Sequence, residues 1–323
     1  MTVGQWLDTW ATEYLNSVKP RTVESYKANI KQHIKPAIGA LRLSALTAVD
    51  VQRLYNNLTN KRTGKPLSVK SKKNVHGTLH KALEKAVSLG YIRHNPADKP
   101  DLPKVQKAEI KPLADDEMIS FLDVVKGCEY EAVYVTTLFT GMREGEVLGL
   151  TWDCIDFKGG TITIKQQLQK VRATGGEYIL APTKNGKTRI IAPASYVMQI
   201  LTNQRKTQYE QRLKAGPAWS NPLNLVFTNA FGRNLCAQTV YLHFKKLAAA
   251  AGVPAARFHD LRHSYAVAAL RSGDDIKTVQ ENLGHHTAAF TLDTYAHVTE
   301  KMRQESARRM DGFIEGIQAA KKA

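Results

Sequence analysis

A stretch near the carboxyl end, residues 258–298, reads FHDLRHSYAVAALRSGDDIKTVQENLGHHTAAFTLDTYAHV and brings His259, Arg262, His285 and Tyr295 into one segment. His259 and Arg262 stand three positions apart. In a helix over residues 260–271, which Ala266, Ala268, Ala269 and Leu270 predict, they share a face. A guanidinium offers a planar fork of donors suited to phosphate, and an imidazole can donate a hydrogen bond or move a proton near neutral pH. The pair therefore points to a phosphate. Tyr295 adds a phenol, a poor nucleophile because it titrates at about pH 10, but one that nearby cations and proton acceptors can activate. His285 follows a Leu-Gly turn, ten residues before Tyr295.

The same residues admit other chemistry. His259 and His263 have the i, i+4 spacing of a zinc helix, but Asp260 stands where the HExxH pattern needs Glu and no third ligand is evident, so no metal is expected. Tyr265 is a rival nucleophile, but it falls within the apolar pattern of the helix and reads as core.

HDLRH, LGHH and TLDTYAHV resemble the second signature box of the tyrosine recombinases, the phage integrase family, and the first box is matched upstream by TGMREGEVLGLTW, which contains Arg143. The resemblance covers about residues 113–300 closely and 1–100 more loosely. It implies phosphoryl transfer without metal or cofactor. Tyr295 would attack a scissile DNA phosphate to give a 3′-phosphotyrosine and a free 5′-hydroxyl, Arg143 and Arg262 would hold the non-bridging oxygens, and Lys184 would protonate the leaving oxygen. Lys184 matches a lysine that the family carries on a hairpin, with Lys187 in reserve. His259 and His285 would share proton transfer and phosphate contact in a division the sequence leaves open. The Leu-Gly-His match selects His285 over His286, and His297 reads as a surface or supporting residue.

The implied activity is site-specific recombination that integrates and excises a mobile element, most like the integrases of conjugative transposons and of phages of Gram-positive bacteria. Many of those carry a small arm-binding domain before their helical bundle; here the chain begins at the bundle with Met1, so that domain is either absent or removed. The alternatives are a chromosome-dimer resolution recombinase, a type IB topoisomerase and a DNA-binding protein without activity. The implied partners are double-stranded DNA at attachment or element-end core sites, further copies of the chain as a dimer or tetramer, and an accessory DNA-bending or excision protein.

Charge agrees with a polyanionic partner: the 323 residues carry a formal +17 with pI near 9.7. It is uneven. Residues 1–111 hold 20 Lys and Arg against 8 Asp and Glu, a net +12, and the remainder holds 26 against 21, a net +5. Cys128, Cys154 and Cys236 are odd in number and widely separated, which gives neither a disulfide framework nor a zinc knuckle and fits a reducing cytoplasm. No run approaches the roughly 20 apolar residues of a membrane span, and MTVGQWLDTW is not a signal peptide. A cytoplasmic, nucleoid-associated protein is expected.

The elements that must position these groups divide into two domains and a tail. Residues 1–98 read as a four-helix, SAM-like, core-binding bundle. Thr2 caps a helix through Val3, Trp6, Leu7, Trp10 and Tyr14; Thr22 to Ile34 makes a second, stopped by Pro36 and Gly39; Thr47 opens a third and Ser68 a fourth, which ends at Gly90. Aromatics at this spacing read as core. Lys61, Arg62 and Lys65 precede the fourth helix, and Lys70, Lys72 and Lys73 crowd its start, where positive charge opposes the macrodipole; these six are candidate phosphate contacts.

Residues 99–112, rich in proline and lysine, read as a linker. Residues 113–298 read as an α+β catalytic domain in a chain that is mainly α with a small antiparallel sheet. Its helices run over about 115–126 and 129–139, then into a helix that carries Arg143. Period-two segments follow around Gly159-Gly160 and Asn185-Gly186, the second a strong hairpin signal. Further helices are expected over 194–212 and 236–250, with a short buried strand at Leu225–Phe227. Residues 299–323 form a charged helical tail that either folds back or is exchanged between protomers.

Overall fold

The computed structural model describes residues 1–104, 111–171, 176–284 and 307–319. They fall into two compact units, residues 1–104 with Val171, and residues 111–170 with 176–284 and 307–319.

The first unit is the helical bundle. Thr2 accepts from the Gln5 amide and the Gln5 side chain accepts from the Thr2 amide, a reciprocal cap that starts α1 (Val3–Glu13). Thr47 and Asp50 do the same for α4 (Ala48–Asn56), and the Ser68 hydroxyl caps α5 (Val69–Ser88). Trp6 and Trp10 are buried, and the Trp6 indole donates to the Ala82 carbonyl at 2.9 Å, so the two tryptophans are core as their spacing suggests. Tyr14 is not: it caps the end of α1, where the chain leaves the helix, and is 38% exposed.

The second helix departs from expectation. α2 (Pro20–Asn29) does not stop before Pro36 but passes through a π-helical turn, Ile30–Ile34, into α3 (Lys35–Ile38). Lys35 N–H reaches back to the Ile30 carbonyl, and the widened turn lets Pro36, which has no amide hydrogen, open the next segment. Beyond α5, Ala97 is buried, Leu102 packs on the bundle core, and Gln52 exchanges hydrogen bonds with the Asp101 backbone.

In the second unit, α6 (Asp115–Val125) precedes α7 (Glu131–Thr140), a central helix buried on nearly every face. Gly141 ends α7 with φ +64°, and α8 (Glu144–Leu148) follows. β1 (Ile155–Asp156), β2 (Thr161–Ile164) and β5 (Arg189–Ile191) form an antiparallel sheet in the order β1-β2-β5, while β3 (Gln166–Val171) pairs with β4 (Glu177–Pro182).

The Asn185-Gly186 hairpin is therefore not formed. A turn does close there, with Gly186 N–H donating to the Thr183 carbonyl at 2.9 Å, but the strands on either side join different sheets. β5 sets Ile191 opposite Ile162 and Arg189 opposite Ile164, so packing of the two buried isoleucines overrides the local signal. Leu225–Phe227 is buried but makes only a bridge, Thr151 to Leu225, rather than a strand. α9 (Ser195–Ala215), α10 (Ala237–Ala250), α11 (Phe258–Arg271) and α12 (Ile276–Leu283) complete the unit, with α9 and α11 both against α7. Residues 307–319 are helical and exposed; the rest of the expected tail lies outside the described residues. No described helix is long and apolar enough to cross a membrane.

Gly149, at the end of α8, sets how closely β3 approaches: a Cβ there would lie 2.3 Å from the Leu168 amide nitrogen and 2.7 Å from the Gln167 carbonyl carbon. Both are backbone atoms, which cannot swing aside. Gly149→Ala is expected to destabilise the second unit by roughly 2 kcal/mol or more, read as a lower urea midpoint; a wild-type midpoint would contradict this packing.

Candidate active site

Arg143 sits at the N-cap of α8 rather than inside the helix, because the left-handed turn at Gly141 delivers it in extended conformation (φ −72°, ψ 153°). Its amide donates to Glu146 Oε2 at 3.0 Å, its Nη1 donates to Glu146 Oε1 at 2.7 Å, and its Nη2 donates to the Gly284 carbonyl at 3.2 Å. Glu146 is 1% exposed and is shared with a second guanidinium. Arg189 Nη2 donates to its Oε2 at 2.6 Å and Nη1 to its Oε1 at 3.2 Å. Burial alone would raise the Glu146 pKa, but the hydrogen bonds and charge of Arg189, reinforced by Arg143, outweigh it and hold the carboxyl down at about 2.

Arg262 lies on α11 and is 2% exposed. Its Nη1 donates to the Gly141 carbonyl and its Nη2 to the Leu283 carbonyl, each at 2.6 Å. Arg189 Nε donates to the Asn282 carbonyl at 2.8 Å. The last three residues before His285 thus receive three guanidiniums in order: Asn282 from Arg189, Leu283 from Arg262 and Gly284 from Arg143. These are the free carbonyls at the negative end of α12, where cations are favoured. The junction is tight, since a Cβ on Gly141 would come within 2.5 Å of the Tyr265 ring and 2.6 Å of Leu283.

His259 is one turn before Arg262 on α11, exposed on one side and packed on the other. Partial burial, then the charges of Arg262 and Arg143, lower its pKa and favour the neutral imidazole. Its ring stands edge-on to His263 at 4.9 Å. Asp260 closes the start of the helix by accepting from the backbone and side chain of Arg257.

Arg143, Arg189, Thr183, Asn185, Lys187, Lys277 and Gly284 are among the residues that line one cleft of about 520 Å³. Lys184 occupies the exposed turn beside it but is not part of that lining, whereas its reserve Lys187 is. His285 and Tyr295, with His286 and His297, lie outside the described residues. Tyr265 is half-buried, accepts a hydrogen bond from Asn282 Nδ2 at 3.1 Å and packs against Leu283, a structural tyrosine as its pattern suggests. Among the described residues the groups close enough to share a cation are His80, Glu84 and Asp98 of the helical bundle, where His80 and Asp98 already pair at 3.1 Å.

The candidate DNA contacts lie in the first unit. Asn60 folds the loop after α4 by accepting from the Arg62 and Thr63 amides, leaving Lys61, Arg62 and Lys65 exposed at its tip. Lys70 and Lys73 are exposed in the first turns of α5 and Lys72 is half-buried. Glu146 and Arg189 escape sequence reading. Glu146 looks like a dipole partner in a first helical turn, and Arg189 like a polar residue of an alternating strand.

Residues 111–302 match the phage integrase family, and residues 2–59 match its N-terminal SAM-like domain. A tyrosine recombinase XerC-like protein of Caldanaerobacter subterraneus subsp. tengcongensis is 29% identical, covering 97% of this chain and 84% of its own length. The ICEBs1 integrase of Bacillus subtilis is 23% identical, covering 92% of this chain and 79% of its own length. Among solved structures, the Tn1549 transposon integrase in complex with transposon right end DNA superposes with a TM-score of 0.80 at 23% identity, covering 96% of this chain and all (100%) of that one. A lambda integrase dimer bound to a COC′ core site gives 0.64 at 20%, covering 91% of this chain and 95% of that one.

The described site makes a pH prediction. Burial, then the neighbouring His259, lowers the His263 pKa from 6.5 to about 4. The unfolded chain therefore binds a proton between these values that the folded chain refuses. This contribution to stability is full above pH 6.5 and falls by roughly 3 kcal/mol towards pH 4. An NMR titration should place the His263 ring midpoint near 4; a midpoint near 6.5 would contradict the packing around it.

Proposed function

The chain belongs to the phage integrase family, matched over residues 111–302, and from that premise we propose that it is a site-specific DNA recombinase that uses Tyr295 as nucleophile to integrate and excise a mobile element. The observation that carries the reading is the convergence of Arg143 and Arg262, from distant parts of the chain, on adjacent carbonyls immediately before His285.

In the proposed reaction, the Tyr295 oxygen forms a bond to the scissile phosphorus as the bond to the 5′-oxygen breaks. The tyrosine proton passes to His259 or His285, and the leaving 5′-oxygen takes a proton from Lys184 or, if the turn presents it instead, Lys187. Arg143 and Arg262 donate to the non-bridging oxygens, whose charge grows in the transition state. Burial and the charges of Arg262 and Arg143 favour the neutral imidazole of His259, which supports its part as proton acceptor. Because the phosphotyrosine ester keeps the bond energy, a 5′-hydroxyl from a second duplex can reverse the attack and join strands without a nucleotide cofactor.

The proposed division of labour puts core-site grip in residues 1–98, a linker at 99–112 and chemistry in 113–298, with pairs of chains assembling to tetramers on duplex DNA in the cytoplasm. Lys61, Arg62, Lys65, Lys70, Lys72 and Lys73 are the proposed phosphate contacts of the first part, supported by their exposure or half-exposure on one loop and one helix start. Chromosome-dimer resolution is the alternative reading. Excision of a circular element in cells, against rescue of a dimer-resolution defect, separates the two.

A nicked suicide substrate bearing a candidate core site tests the chemistry. Wild type should accumulate a covalent protein–DNA adduct, Tyr295→Phe none, and Arg143→Lys at least about 100-fold less, in line with loss of a transition-state donor. Adduct formation by Tyr295→Phe at the wild-type rate would overturn the assignment.

A further inference from the structure

Glu146 presents an electrostatic problem. A buried carboxylate beside Arg143 cancels most of the positive charge that a phosphate would meet, so a site containing only that pair would attract an anion poorly. Arg189 resolves it. Its guanidinium takes both carboxylate oxygens in a fork, at 2.6 and 3.2 Å, while each oxygen also keeps a bond from Arg143, to Oε1 at 2.7 Å and to Oε2 at 3.0 Å. One negative charge is thus shared by two positive ones, leaving a net +1 before Arg262 is counted.

Arg189 is also fixed at its other donor. Nε donates to the Asn282 carbonyl at 2.8 Å, and the side chain lies over Gly284, where an added Cβ would meet Arg189 Nη1 at 3.1 Å and Cδ at 3.2 Å. The residue therefore ties the strand β5 to the C-terminal turn of α12 whose next two carbonyls receive Arg262 and Arg143. Its side chain is 11% exposed against 22% for Arg143, so Arg143 is the more open of the two towards a ligand.

We propose that Arg189 is a positioning residue for strand cleavage, acting through Glu146 on the charge and direction of Arg143 and through Asn282 on the placement of α12. The proposal rests on the recombinase reading given above. It follows that Arg189 serves the transition state and not the grip on DNA, and that its effect depends on an intact Arg143. A lysine in its place supplies charge but not the fork, and cannot hold both carboxylate oxygens and the Asn282 carbonyl together.

The test is a double-mutant cycle read in two assays, gel-shift affinity for a single core site and the rate of covalent adduct formation on the nicked substrate, with full-length wild type, Arg189→Ala, Arg189→Lys, Arg143→Lys and both Arg189 changes in the Arg143→Lys background. Expected are affinities within about 3-fold of wild type for the Arg189 variants, with adduct rates lowered roughly 10- to 100-fold by Arg189→Ala and partly restored by Arg189→Lys. In the Arg143→Lys background the further loss from Arg189→Ala should shrink to about 3-fold or less. Thermal melts show whether each variant is folded, and Arg189→Lys carries the cycle should Arg189→Ala unfold. Wild-type rates in the Arg189 variants would overturn the proposal, and so would losses that multiply in full in the Arg143→Lys background, since those describe a residue that acts without Arg143. Absence of adduct from wild type removes the recombinase reading and this inference together; adduct from wild type with indifference at Arg189 removes this one alone.

Discussion

Three guanidiniums meet three consecutive backbone carbonyls at the end of one short helix, and the second unit is arranged so that they can. α12 turns at Gly284 with φ +62°, which leaves the carbonyls of Asn282, Leu283 and Gly284 outside the helical ladder and facing arginines from β5, α11 and the start of α8. Like charges crowded in this way repel one another, so the cluster persists only with compensation. It comes from the negative end of the α12 dipole and from Glu146, one buried carboxylate placed between two of the three arginines. The residual positive charge is what a phosphate diester would neutralise.

The surrounding packing makes this arrangement stiff. α7 is buried nearly all round, so its end at Gly141 is a fixed point, and the Gly141 carbonyl is itself an acceptor for Arg262. Tyr265 and Leu283 close on Gly141 so tightly that no side chain fits there, which locks α7, α11 and α12 together. β5 adds the third reference through its register with β2, which fixes the direction of Arg189 from the sheet. A site whose donors are held by rigid elements has little reorganisation left to perform when charge develops on the substrate, and that is how electrostatic stabilisation becomes rate enhancement.

Much of this was legible in the chain because it depends on local rules. The helix caps at Thr2, Thr47 and Ser68 announce themselves by residue type, and the three-residue spacing of His259 and Arg262 gives a shared helical face before any coordinates. The likeness of the two signature boxes added Arg143, which no spacing argument reaches because its partners lie far along the chain. What stayed hidden is non-local. Pro36 reads as a stop, but a π turn absorbs it; Asn185-Gly186 reads as a hairpin, but the strand after it finds β2 instead of β4. Arg189 carries no local signal at all, since its meaning comes from Glu146 and Asn282, residues brought to it only by the tertiary fold.

On the proposed reading, Arg143 and Arg262 jointly receive one phosphate of a DNA strand. The most direct measurement is a crystal structure of the full chain on a duplex carrying its core site. The expected result is one backbone phosphate with its non-bridging oxygens within hydrogen-bond distance of both guanidiniums, and the Tyr295 oxygen in line with the 5′-oxygen across phosphorus. Duplex held by the lysines of the first unit, with every phosphate remote from Arg143 and Arg262, would contradict it.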